Sequence, residues 1–225
     1  MDSRALLAAL QHADSFFPSG TVSFSWGLEA LRADGLVRTA DDVALFIAAL
    51  LRHRWATGDR PVLAAAHTAG DDLETVRALD HLQEAMALAH ELRAGSRRIG
   101  AALLGVHARL GTRNAAFYRA WVLADQAPGH VAVMQGLLWR GIGLELEVAL
   151  AIAAHGFCVG LIGAALRLGL IGHVEGQRRL ATFHDLIAEV LKNPLPSLDE
   201  ISTFGPACDI AFMRHEVQPA RLFAN

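Results

Sequence analysis

Cysteine is nearly absent. The 225 residues hold two, Cys158 and Cys208, far apart and in no CxxC pair, so the chain has neither a disulfide framework nor a cysteine-built zinc site. Both sit among apolar or small residues, as buried thiols in a reducing compartment do. An excess of one charge is missing too: 20 Lys+Arg stand against 23 Asp+Glu, a formal charge of −3. No long-range positive field exists to draw in DNA or RNA. The opening stretch MDSRALLAALQHADSFFPSG carries early charges and no uninterrupted apolar run ending at a small-residue cleavage site, so the expected location is the cytoplasm. GxxxxGK[ST], GxGxxG after a strand and GxSxG are all lacking. The usual apparatus for nucleotide hydrolysis, dinucleotide binding or a hydrolase nucleophile is therefore missing, and a non-enzyme is expected.

Apolar residues are plentiful: 53% of the chain is hydrophobic and the mean hydropathy is +0.31. That is more apolar surface than one monomeric core hides, which favours a permanent partner or a membrane. The spacing is helical nearly throughout. Leu73, Val76, Leu79, Leu82, Met86 and Ala89, for example, step by three or four along one stripe. Helix starts are expected at Thr39 or Asp41, at Asp71, and at Ser197 or Asp199. Breaks are expected at Pro18-Ser19-Gly20, Gly58-Asp59-Arg60-Pro61, Gly70, Gly111, Pro128-Gly129 and Asn193-Pro194-Leu195-Pro196. With no repeat, low-complexity tract or long linker, the pattern predicts an all-α fold. It is a single compact domain over residues 1–225, with roughly eight to ten helices.

The uncharged run Val148 to Leu166, VALAIAAHGFCVGLIGAAL, meets the usual length of a transmembrane helix, roughly 18 residues or more. His155 in its middle, its many small residues and the lack of an aromatic belt favour a long buried helix at the centre of a soluble fold, with no membrane partner. A membrane-embedded helix pair is the alternative. Gly156, Gly160 and Gly163 would permit tight helix crossings, either inside the domain or across a two-fold dimer interface.

The 11 histidines show no HxH, HxxxH or HExxH spacing, so no motif converges two ligands on one helical face and no metal site is assigned. Two segments combine rigid turns, small residues and charges where a core would use plain aliphatics: Asp14 to Glu29, and Asp209 to Phe223.

These segments carry a likeness. Phe17-Pro18-Ser19-Gly20 followed by Phe24-Ser25-Trp26-Gly27-Leu28-Glu29 resembles the turn and helix start of the UreF family. Glu91-Leu92-Arg93-Ala94-Gly95-Ser96 with Gly100 and Leu103-Leu104 is similar to that family's mid-chain helix, and Pro128-Gly129-His130 opens its next stretch. Gly172 to Gln177, then Met213-Arg214-His215-Glu216 and Arg221-Leu222-Phe223, match its later turn and C-terminal tail. Val217 and Pro219 stand where the tail usually has threonine and tyrosine.

The resemblance implies an all-helical accessory protein of urease maturation. Such a protein forms a homodimer, binds UreD (UreH in some systems), and recruits the nickel-carrying GTPase UreG to the urease apoprotein. It holds no cofactor stably; nickel is cargo that can transit the complex, and a direct nickel-binding chaperone using His215, Glu216, Cys208 or other histidines is the alternative. Carried over position by position, Pro18, Gly20, Gly27, Glu29, Arg93 and Ser96 would face UreG. Met213, Arg214, His215, Glu216, Arg221 and Phe223 would form the tail that meets UreD, with arginines able to pair with carboxylates.

Overall fold

The computed structural model describes residues 3–18, 24–203, 205–215 and 222–223, and among them every regular element is helical. In chain order these are α1 (Ser3–Ala13), α2 (Leu28–Ala33), α3 (Ala40–Leu50), a π-helical stretch (Leu51–Asp59), α4 (Arg60–Ala69), α5 (Leu73–Met86) and α6 (His90–Arg109). They continue with α7 (Ala115–Leu123), α8 (Val131–Gly141), α9 (Leu146–Arg167), α10 (His173–Lys192) and α11 (Pro206–His215). With Ala40 to Ala69 taken as one rod, ten helices are described, within the range the punctuation predicts.

Local chemistry explains most boundaries. Thr39 caps α3 in a capping box: its hydroxyl accepts from the Asp42 N–H at 3.1 Å and the Asp42 carboxylate accepts from the Thr39 N–H at 2.9 Å. Gly70 and Gly111 end α4 and α6 with φ of +58° and +74°, a positive-φ backbone that glycine takes without a Cβ penalty.

Three expectations are corrected. Asp72 rather than Asp71 caps α5, accepting from the Thr75 N–H at 3.2 Å, while Asp71 pairs with Arg113 and Asn114 across the surface. No helix starts at Ser197 or Asp199; Ser197 closes a local turn on Glu200, and α11 begins at Pro206, whose missing N–H costs nothing in a first turn. Gly58-Asp59-Arg60-Pro61 is not a break. The chain runs through it in π register, and the wider turn accommodates a proline ring that would clash in an unbroken α-helix. The 202–203 segment then lies on Gly58, with the Thr57 hydroxyl donating to the Ser202 carbonyl at 2.6 Å.

Two buried apolar clusters result. One gathers α3, α9 and α10; the other gathers α4 to α8 around Leu104, Tyr118, Met134 and Leu137. α9 is the long apolar helix expected from the sequence. It is long and apolar enough to cross a membrane, yet 56% of its most apolar window is buried, against α10, α1, α4 and α8 among others. The close crossing is elsewhere. A Cβ on Gly136 of α8 would run into the Leu63 carbonyl and Ala66 of α4. By contrast, nothing among the described residues lies within 4 Å of a Cβ built on Gly156, Gly160 or Gly163. The α9 glycines therefore serve no crossing among the described residues, which removes the first of their two expected uses.

Candidate functional site

A tight turn precedes α2. The Leu28 N–H donates to the Ser25 carbonyl at 3.1 Å, and both central residues, Trp26 and Gly27, have positive φ, +56° and +81°. For tryptophan this is a strained backbone, the kind that persists only where its surroundings impose it. Those surroundings are clear. The Trp26 indole meets Phe157 of α9 edge-on at 5.2 Å, and the Arg54 guanidinium lies 5.6 Å over its ring and 3.5 Å from the Asp209 carboxylate of α11. Gly27 lets α11 approach: a Cβ there would sit 3.2 Å from that of Ala211 and 3.6 Å from the Cys208 carbonyl.

One turn on, Glu29 clamps the end of the chain. Its two carboxylate oxygens accept from the backbone N–H groups of Leu222, at 2.8 Å, and Phe223, at 3.2 Å. The Phe223 ring is buried, with the Arg167 guanidinium of α9 4.2 Å from its centroid. Cys208 and Cys158 are free and buried. Burial pushes their thiols up to about 11 and about 12, which keeps both protonated and poor metal ligands.

A second polar assembly joins α5, α6 and the start of α8. Asp80, fully buried, accepts from the N–H groups of Gly129 at 2.7 Å and His130 at 2.8 Å and from the Tyr118 hydroxyl at 2.9 Å. Burial pushes its carboxyl up against these bonds. The Val131 N–H donates to the Ser96 hydroxyl at 3.3 Å, and that hydroxyl lies 3.0 Å from His130 Nδ1. His130 Nε2 is 2.7 Å from Glu84. A proton on Nε2 satisfies every contact, since Ser96 then donates to Nδ1 and Nε2 donates to the carboxylate. Desolvation lowers His130 and keeps it neutral. Desolvation opposes Glu84, but bonds from Arg97 and His130 prevail and hold it below the usual carboxylate range. Arg93 donates to the Ala87 and Leu88 carbonyls at 2.5 and 2.9 Å, closing the end of α5.

A model of the UreF family matches residues 37–184. Proteins named "Urease accessory protein UreF" are similar over almost their whole length. That of Trichodesmium erythraeum is 31% identical, covering 97% of this chain and 96% of its own. That of Cereibacter sphaeroides is 33% identical over 98% and 99%, and that of Rhizobium etli 31% over 99% and 97%. The chain belongs to the UreF family.

The UreF motifs that are separate in sequence are continuous in space. Phe24 lies between them: its ring packs against Gly95 of α6, where a Cβ would collide with it, and three residues on Gly27 receives α11. Arg93 and Ser96, the Trp26–Glu29 turn, α11 and Phe223 thus form one region. Within it Arg93 and Ser96 tie helix ends, Gly27 and Glu29 hold α11 and the tail, and Pro18 and Met213 are exposed. Gly20, Glu216 and Arg221 lie outside the described residues, as do the side chains of Arg214 and His215. Sequence reasoning missed Asp80, Glu84 and Arg167. A lone buried acid on the apolar stripe of α5 was the available signal for Asp80.

A cavity of about 320 Å³ opens beside this region of the UreF fold. It is lined by Trp26, Trp55 and Trp139, by Asp59, and along one wall by Gly156 and Gly160. Burial pushes the Asp59 carboxyl up, opposed by Arg54 and by Gln83, whose amide donates at 2.8 Å. At its rim Phe17 is buried between His12 and His107, with ring centroids 4.5 and 5.7 Å away.

Proposed function

We propose that this chain is a cytoplasmic scaffold of urease maturation. It forms a homodimer, binds UreD (UreH), and through that complex receives the GTPase UreG and meets the urease apoprotein, with nickel passing as cargo rather than staying as a cofactor. Family membership supports the maturation role. The observation that carries the partner reading is the Glu29 clamp on Leu222 and Phe223. It fixes the tail beside α11, where Ile210, Met213 and Leu222 remain 56%, 53% and 62% exposed, a grouping of apolar side chains suited to an interface core. An arginine and a glutamate nearby in the tail sequence, Arg214 and Glu216, suit its polar rim. Gly27 and Glu29 support the UreG-facing surface indirectly, by holding what lies on them.

The chain is to be co-expressed with UreD and UreG from the same source and complex mass measured by size-exclusion chromatography with light scattering. The expected result is a complex with two copies of each that forms with the full chain and is lost when residues 206–225 are removed. A full-length chain that stays alone at every salt concentration sinks the reading. Because truncation removes α11 from the fold, Met213→Asp is the companion variant. It changes an exposed side chain and is expected to weaken the UreD complex at least tenfold while leaving the melting temperature unchanged.

A further inference from the structure

α9 and α10 lie against each other, and each contributes an imidazole to one ring contact. The rings of His155 and His184 have centroids 5.8 Å apart and planes inclined at 39°. His155 is half-buried and His184 exposed. Neither ring makes a hydrogen bond or ion pair among the described residues, whereas His12, His67, His107 and His130 are each held by a carbonyl, a hydroxyl or a carboxylate. In a neutral imidazole one ring nitrogen carries the proton and the other has a lone pair free to ligate a metal. Two adjacent imidazoles with no other hydrogen-bond partner among the described residues leave their ring nitrogens available to one cation.

We propose that His155 and His184 form a two-nitrogen binding site for a late first-row divalent transition ion, one ion per chain, with water completing its shell. The geometry fits. Two imidazoles whose nitrogens lie about 2.0–2.1 Å from a shared ion have centroids roughly 4.5 to 6.5 Å apart, depending on the angle at the metal, and the observed separation falls inside that range. Ala151 and Val159, one turn to either side of His155 on α9, are half-exposed and small or aliphatic, leaving room for a hydrated ion and offering no competing ligand. Imidazole selects Cu²⁺ most strongly, then Ni²⁺ and Zn²⁺, and disfavours the oxygen-seeking Mg²⁺ and Ca²⁺. No group of three or more potential ligands occurs among the described residues, so the affinity is that of a bidentate site, in the micromolar range.

This site does not depend on the scaffold reading; a chain that assembles no complex would still bind the ion. The test is calorimetric titration of the full chain with Cu²⁺ and with Ni²⁺, comparing the unsubstituted protein with His155→Ala, His184→Ala, the double variant, and His215→Ala as a tail control. One ion per chain is expected, with affinity falling at least tenfold in either single variant, lost in the double variant, and unchanged in H215A. The Cu²⁺ electron paramagnetic resonance spectrum should show two nitrogen couplings that disappear with the double variant. Equal melting temperatures establish that the variants fold. A double variant that binds with the same stoichiometry and affinity overturns the proposal.

Discussion

His107 shows how a single side chain ties stability to pH. It is fully buried, with its Nδ1 2.9 Å from the Thr112 hydroxyl and its Nε2 without a partner, and burial, helped by His12, lowers its pKa to about 4. In the unfolded chain the same ring takes a proton near its ordinary value of about 6.5. Between those values the unfolded state holds more protons, so stability is full above pH 6.5 and is lost as pH falls toward 4. The loss is on the order of 3 kcal/mol at the acid end. His107→Phe keeps an aromatic ring against Phe17 and removes the titration. Thermal melts at steps between pH 7 and 4 should show a shallower decline for the variant, and parallel curves would contradict the assignment. Asp80 makes the complementary case. Asp80→Ala strands two backbone N–H groups and the Tyr118 hydroxyl, so a loss of roughly 3 kcal/mol or more is expected in urea unfolding; a change below 1 kcal/mol would mean that water replaces the carboxylate.

At the scale of elements, glycines of identical composition have opposite jobs. Gly136→Ala puts a methyl against the Leu63 carbonyl at the α4–α8 crossing, and overpacking of that kind costs typically 1–3 kcal/mol, which outweighs the helix propensity gained, about 1 kcal/mol. Net destabilisation in denaturant melts is expected, and a more stable variant would show that the crossing can open. Sequence spacing cannot separate this glycine from those of α9, because the difference lies in what another helix brings near. The same limit governs the corrected boundaries. The all-α class, the capping box at Thr39 and the long helix α9 are set by neighbours in sequence and were legible there. The passage through Pro61 depends on a π register, and the turn at Ser197 on Glu200, so punctuation alone misplaced both. The candidate region was half legible. Gly27 and Glu29 stood out as a turn and a helix start, but their grip on Ala211, Leu222 and Phe223 joins positions nearly the whole chain apart.

For the molecule as a whole, the surplus of apolar residues becomes a question of what covers α9. No charge occurs between Glu147 and Arg167, yet Gly156, Gly160 and Gly163, one stripe of the helix, are all only half-buried, and they border the cavity rather than a neighbouring helix. A face with neither charge nor bulk suits a second copy of α9 related by a two-fold axis, since each glycine then admits the partner's backbone. Gly160→Leu tests this, because a Cβ there meets nothing within 4 Å among the described residues, the cavity beside it has room for the rest of the side chain, and a leucine gains about 1 kcal/mol in helix propensity over glycine. Light scattering on the unsubstituted chain should give twice the 24.1 kDa chain mass and on G160L a single chain mass, with a melting temperature measured at low concentration that is no lower. A dimer that survives the leucine would place the two-fold contact on another face and leave the glycine wall to the cavity alone.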